Sequence, residues 1–312
     1  MHRIIAAALL SAALATPAFS QEAQGDALDP FPPIEQSVGA TINETDRMLV
    51  SVTIANAGPY PFIVDTAAER TVIARQLAEQ LQLRQIGRSR MLSMTSSRDV
   101  MKVEVPDVSF IPGRSHDLQA FTLNGDHVGA SGILGIDALR GQRVVLDFAA
   151  NTLSVGPAPP RTQRAAADEI VVRGRRRLGQ LVLVDLSIDG EEVDVIVDSG
   201  SQVSVGNDAL RRLMALRRNA FTPITLFSVT GETFAADYAR ADKLVIGNAQ
   251  LIGMPIAFAN AHFFQRMRMT RKPALLLGMD ALQMFERVSV DFPNRRAHFV
   301  LREESRTPPR AS

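Results

Sequence analysis

Ile63-Val64-Asp65-Thr66-Ala67-Ala68 returns later in the chain as Ile196-Val197-Asp198-Ser199-Gly200-Ser201. Each copy is followed by a second echo: Gly132-Ile133-Leu134-Gly135-Ile136-Asp137-Ala138-Leu139, then Leu275-Leu276-Leu277-Gly278-Met279-Asp280-Ala281-Leu282. An apolar strand that ends in Asp, a hydroxyl residue and two small residues presents a buried carboxylate on a tight turn. Two such turns can bring two carboxylates face to face. Like charges that close cannot both ionise, so they share one proton, and one acts as base while the other acts as acid.

The repeat extends outward from these turns. Leu49 to Ile54 alternates, Asn56-Ala57-Gly58-Pro59 turns, and Tyr60 to Val64 leads into Asp65. Leu181 to Ile188, Asp189-Gly190 and Val193 to Val197 repeat that order before Asp198. Val72, Ile73, Leu77, Leu81 and Leu83 predict an amphipathic helix after the first turn, and Asn207 to Leu216 one after the second. Strands are expected over 90–95, 100–105 and 118–123, and over 224–229, 233–238 and 243–246. A closing hairpin carries Arg143-Val-Val-Leu-Asp147-Phe148 in one copy and Arg287-Val-Ser-Val-Asp291-Phe292 in the other. From 65 to 198 is 133 residues and from 135 to 278 is 143, so the second copy holds a ten-residue insertion, placed in 260–273.

This is one fold unit duplicated rather than a short-period solenoid. The reading is mainly β, in two similar small β-barrel lobes with short helices and a cleft between them. The expected order is a signal peptide (1–20), a flexible lead-in (21–45), an N-terminal lobe (46–156), a linker (157–179), a C-terminal lobe (180–302) and a flexible tail (303–312). The signal rests on Arg3, the apolar run Ile4 to Leu14 and Ala18-Phe19-Ser20, the run being too short to span a bilayer. It implies export to the periplasm or the medium. The linker's Arg173 to Arg177 reads as a solvated basic connector, with proteolytic processing the sharper alternative.

Composition narrows the function classes. Lys plus Arg is 34 and Asp plus Glu 33; losing Arg3 with the leader leaves 33 against 33. That balance gives no reason to expect nucleic acid or an anionic membrane as partner. With no cysteine, disulfides, thiolate metal sites, a Cys nucleophile and a lipidated cysteine are all excluded. No later apolar run predicts a stable membrane anchor. The five histidines, at 2, 116, 127, 262 and 298, lack metal-ligand spacing, and neither a Gly-x-Ser-x-Gly elbow nor a Walker loop is present. No cofactor and no metal are expected. Asp137, Asp280, Asp147 and Asp291 recur as helix-cap and hairpin residues and read as structural.

On these motifs the chain resembles the retropepsin-like aspartic peptidases, over roughly 46–156 and 180–302, and looks like an exported bacterial member with two lobes in one chain. Asp198-Ser199-Gly200-Ser201 with Leu276-Leu277-Gly278 carries the family pattern in full. Asp65-Thr66-Ala67-Ala68 with Ile133-Leu134-Gly135 departs from it at Ala67. The resemblance implies an endopeptidase in which Asp65 and Asp198 hold and activate a water. Thr66 and Ser199 would bond across the lobe interface, and Gly135 and Gly278 would let backbone pass close beneath each turn. Thr95-Ser96-Ser97 and Thr230-Gly231-Glu232 would form flap tips, with Ser96 and Gly231 at their centres. A peptide or protein would be the substrate of a monomer, with a homodimer as alternative.

Ala67 opens a second reading, a non-catalytic peptide-binding module on the same fold. Its methyl group would strain the turn if the turn needs positive φ, crowd the water if it points there, or simply be accommodated. The Ala67/Gly200 difference also predicts unequal halves, with Asp198 better hydrogen-bonded and Asp65 holding the shared proton.

Overall fold

The computed structural model describes residues 37–94, 96–139, 141–161, 165–166, 168–216 and 220–302. The expected signal peptide, the start of the lead-in, Thr95 and the tail from 303 lie outside them.

Two ten-strand units follow one another. The first runs β1 (Ser37–Ile42), β2 (Met48–Ile54), β3 (Ala57–Val64), β4 (Val72–Ala74), α1 (Arg75–Gln80), β5 (Gln85–Leu92), β6 (Ser97–Ile111), β7 (Arg114–Leu123), α2 (Gly125–Val128), β8 (Gly132–Leu134), α3 (Ile136–Leu139), β9 (Arg143–Asp147) and β10 (Thr152–Gly156). The second runs β11 (Glu169–Arg177), β12 (Gln180–Ile188), β13 (Glu191–Val197), β14 (Val205–Gly206), α4 (Asp208–Leu216), β15 (Thr222–Phe227), β16 (Thr233–Ile246), β17 (Ala249–Phe258), α5 (His262–Arg266), β18 (Ala274–Leu277), α6 (Met279–Leu282), β19 (Phe285–Asp291) and β20 (Arg296–Leu301).

In each unit six strands close a ring. In the first, β2 pairs with β3, β3 with β8, β8 with β4, β4 with β7, β7 with β6, and β6 again with β2. The second ring is β12, β13, β18, β14, β17, β16 and back to β12. Closure leaves no free edge within the ring and buries alternate side chains inside it. Val50, Val52 and Ile54 of β2, like Leu186 and Ile188 of β12, are buried. The expected two-lobed, mainly β architecture stands.

A sheet common to both lobes lies at their base, in the order β1, β10, β9, β19, β20, β11. Its centre is the antiparallel pairing of β9 with β19, which sets Arg287 opposite Asp147 and Asp291 opposite Arg143. The repeated Arg-x-x-x-Asp therefore meets its own copy across the pseudo-twofold axis. Arg287 Nε lies 2.9 Å from Asp147 Oδ2, and the fully buried Arg143 donates to Ser289 Oγ at 2.7 Å.

Three expectations need correction. The lead-in is not uniformly flexible, because Ser37–Ile42 forms β1, paired to β10 and β2. The Arg-rich stretch keeps Arg173, Arg175 and Arg176 exposed, but it belongs to a strand and not to a connector. It is β11, with Ile170 and Val172 turned into the core, pairing first with β20 and then with β12. The helix expected from Val72 begins only at Arg75. Val72 and Ile73 are β-branched, and their backbone is held by β7 and β8 on either side.

Candidate active site

Each Asp turn hangs from a strand pinned in the middle of its ring. Val64 pairs in parallel with Leu134, and Val197 with Leu277. The ladder continues one step further, where Asp65 N donates to Leu134 O at 3.0 Å and Asp198 N to Leu277 O at 2.9 Å. Each carboxylate is thus carried on a backbone that is hydrogen-bonded to its neighbouring strand up to the aspartate itself.

The glycines behind them are sterically required. A Cβ on Gly135 would fall 2.6 Å from the Arg70 carbonyl carbon, and one on Gly278 2.5 Å from that of Val203. The chain passing under each glycine is tied down in the same way in both copies. Thr71 donates its N–H and hydroxyl to Asp137 Oδ1, each at 2.8 Å, and its hydroxyl oxygen accepts from Gly135 N at 3.3 Å. Ser204 donates to Asp280 through Oγ (2.6 Å) and N (3.0 Å), and accepts from Gly278 N at 3.0 Å. Asp137 and Asp280 are therefore structural, as read from the sequence, but their work is to brace the Asp turns. Thr71 and Ser204 escaped notice, although each lies six residues beyond its aspartate.

Thr66 and Ser199 join the two turns. Thr66 Oγ1 donates to Val197 O at 2.7 Å, and Ser199 Oγ to Val64 O at 2.8 Å. Each hydroxyl oxygen also accepts the other residue's backbone N–H, at 3.1 Å for Thr66 N and 3.3 Å for Ser199 N. Both residues are buried, so these bonds are shielded from water and costly to lose.

The Asp65 carboxyl lies against Gly200. A Cβ there would sit 2.2 Å from Asp65 Cγ and Oδ2. That packing brings the first lobe's carboxyl onto the second lobe's turn. Ala67 faces no such demand: neither Ala67 nor Gly200 adopts positive φ, and Ala67 packs against the second lobe's apolar cluster around Ile196 and Leu276. The backbone strain expected at Ala67 is absent.

The expected inequality between the halves runs the other way. Asp65 Oδ1 accepts from Ala67 N at 2.9 Å and Ala68 N at 2.8 Å. Asp198 Oδ1 accepts from Gly200 N and Ser201 N at 3.2 and 3.1 Å, so Asp65 is the better bonded. Burial pushes both carboxyls up. Asp198 rises well above the usual range, through burial first and the neighbouring Asp65 charge second. At Asp65 the rise from burial is opposed by the two N–H groups and by the Arg47 guanidinium. The rise is thus the larger at Asp198.

Ser96 and Gly231 lie in hairpin turns, β5–β6 and β15–β16, and each turn reaches the opposite lobe. Ser93 Oγ accepts from Ser96 N at 3.0 Å, and Met94 O beside it accepts from His262 N of α5 at 2.9 Å. Met94 packs on the second lobe's apolar cluster, while Val229 packs on the first lobe's, around Ile63 and Ile133. Gly231, at φ 82°, rests on the His127 ring, where a Cβ would approach within 2.3 Å. Arg98 of β6 pairs with Glu232, and Arg266 forks onto Glu69 at 2.8 and 2.6 Å. Sequence reading missed the repeated Ser-apolar-Thr of 93–95 and 228–230, which marks both tips.

A search of curated proteins found no match. The family model for aspartyl protease matches this chain twice, over residues 50–138 and 184–281. The two matches fall one on each lobe and together span more than half the sequence. The chain belongs to the aspartyl protease family.

Proposed function

We propose that the protein is an exported endopeptidase that hydrolyses peptide bonds through Asp65 and Asp198, both half-sites lying in one chain so that a monomer suffices. The observation that carries this reading is the packing of the Asp65 carboxyl on Gly200, with Thr66 and Ser199 locking the two turns behind it. A carboxyl pair that shares a proton supplies both catalysts for amide hydrolysis. The ionised member takes a proton from a water held between them. The protonated member donates to the scissile carbonyl oxygen as the water's oxygen bonds to carbon. Collapse of the tetrahedral adduct breaks the C–N bond, and a proton passes to the leaving nitrogen. The hairpin tips around Ser96 and Gly231 would part to admit an extended peptide and close to exclude bulk water.

The binding-module alternative rested on Ala67. Ala67 N still donates to Asp65, Ala67 packs on an apolar cluster and its φ is not positive, which removes backbone strain as a ground for that alternative and leaves crowding of the water to the test. The test is a peptide-library digest across acid and neutral pH, with and without a hydroxyl-bearing transition-state mimic. Inhibitor-sensitive cleavage supports the reading. Peptide binding without cleavage at any pH would replace it with the binding module.

A further inference from the structure

Arg47 and Gln180 occupy matching places in the two units. Leu49 pairs with Ile63, and continuing that register by two residues sets Arg47 abreast of Asp65. Leu183 pairs with Val195, and three further residues set Gln180 abreast of Asp198. Each stands 18 positions before its aspartate. The pseudo-twofold thus sets an arginine abreast of one aspartate and a glutamine abreast of the other.

Both side chains are held in place. Arg47 is only 9% exposed, unusual for arginine. Its Nε donates to Thr45 Oγ1 at 2.9 Å and its Nη2 to Val128 O at 3.0 Å. Asn43 Oδ1 fixes the turn that carries it, accepting from Thr45 N, Thr45 Oγ1 and Arg47 N. Gly129, at φ 74°, leaves room for the guanidinium, since a Cβ there would sit 3.0 Å from Nη2. Gln180 is 1% exposed and donates Nε2 to Ala67 O at 2.6 Å, across the lobe interface. Neither of the Arg47 bonds needs a charge, and carrying a buried cation to make them is costly. A permanent cation is warranted by a neighbouring anion, and the residue abreast of it is Asp65.

We propose that Arg47 is a positioning residue that polarises the dyad, holding Asp65 as the anionic base and leaving the shared proton on Asp198. This rests on the peptidase reading for its catalytic meaning. Other ionisable groups near the turns are Asp137 and Asp280, bound by Thr71 and Ser204, Glu69, paired with Arg266, and Arg70, which is exposed. The Arg47 charge supports the ionised form of Asp65, and the Asp65 charge in turn disfavours ionisation of Asp198. Gln180 carries no charge and leaves Asp198 without that support.

The test is a carboxyl ¹³C titration of the full chain labelled at aspartate, assigned with Asp65→Asn and Asp198→Asn. In the wild type, Asp65 should ionise first as pH rises and Asp198 well after it. Arg47→Gln, which copies the second lobe, should move the first ionisation upward by about one pH unit or more, the size expected for losing an adjacent opposite charge. Arg47→Met serves as a second neutral variant, and Arg47→Lys should restore most of the shift. In turnover, the acid limb of kcat/KM should move upward with the neutral variants while KM changes little. Asp198 ionising first, or a first ionisation unmoved in the neutral variants, overturns the proposal. The spectra read protons rather than turnover. An inert protein with the expected ionisation order therefore defeats the peptidase reading alone, and an active one with the reverse order defeats the role of Arg47 alone.

Discussion

The two Asp turns share a backbone plan and differ in what surrounds it. On the Asp198 side, Gly200 is pressed against the opposing carboxyl and Gln180 stands alongside. On the Asp65 side, Ala67 carries a methyl that packs into apolar neighbours, and Arg47 stands alongside. Duplication set the geometry, with matched strands, matched hydroxyls and matched braces under the glycines. The two copies differ at the positions alongside each aspartate, Arg47 against Gln180 and Ala67 against Gly200. A symmetric frame can therefore hold unequal surroundings, and at Ala67 the departure from the family pattern brings no positive φ and places the residue against an apolar cluster.

The sharpest way to break this comparison is to exchange the small residues. Gly200→Ala should abolish turnover, because its Cβ would lie 2.2 Å from Asp65 Cγ and force the carboxyl away. Crystal structures or carboxyl spectra of that variant should show Asp65 displaced. Retained full activity would mean that the packing on Gly200 is irrelevant to the site.

The hydroxyl lock comes next. Ser199→Ala and Thr66→Val each leave a buried partner unsatisfied and should cost about 1–3 kcal/mol in denaturant unfolding. The double variant should cost less than the sum, since the two hydroxyls serve one network.

A third comparison uses pH. Asp198 has its folded pKa raised above the unfolded value, so its protonated form contributes stability that is present below the unfolded pKa and lost as pH rises through the folded one. Asp198→Asn should remove that loss. Its Tm advantage over the wild type should grow as pH rises above the ordinary carboxylate range. An advantage that shrinks with rising pH would contradict the direction assigned to Asp198.

Much of the site was legible because the repeat is strong where strands are apolar and turns are tight. The Asp turns, the hydroxyl pair and the paired glycines could all be read from two aligned copies. What escaped was the first strand of each unit. Ser37–Ile42 is short, with glycine and alanine at its centre, while Glu169–Arg177 is masked by four arginines. Neither shows apolar alternation alone, because both depend on partners far along the chain for their pairing. Arg47, Thr71 and Ser204 were missed for another reason. They carry no motif of their own, and their meaning appears only when the register is carried outward from each aspartate. The hydrogen-bond inequality of the halves was read backwards because it was judged from Ala67 and Gly200 alone, whereas the N–H groups of Ala67 and Ala68 approach Asp65 more closely.

The smallest effect belongs to Ala67→Gly. With no positive φ to relieve, it should change stability by no more than about 1 kcal/mol and leave activity in place. A large gain in turnover would mean that the methyl obstructs the water after all.

The central claim, that Asp65 and Asp198 work as one catalytic unit within one chain, is tested most directly by peptide-library cleavage across pH. Wild type, Asp65→Asn, Asp198→Asn and the double variant should be measured side by side. The account predicts cleavage by the wild type alone, with either single change as damaging as both together. Full activity in either single variant, or a wild type that cleaves nothing at any pH, would contradict it.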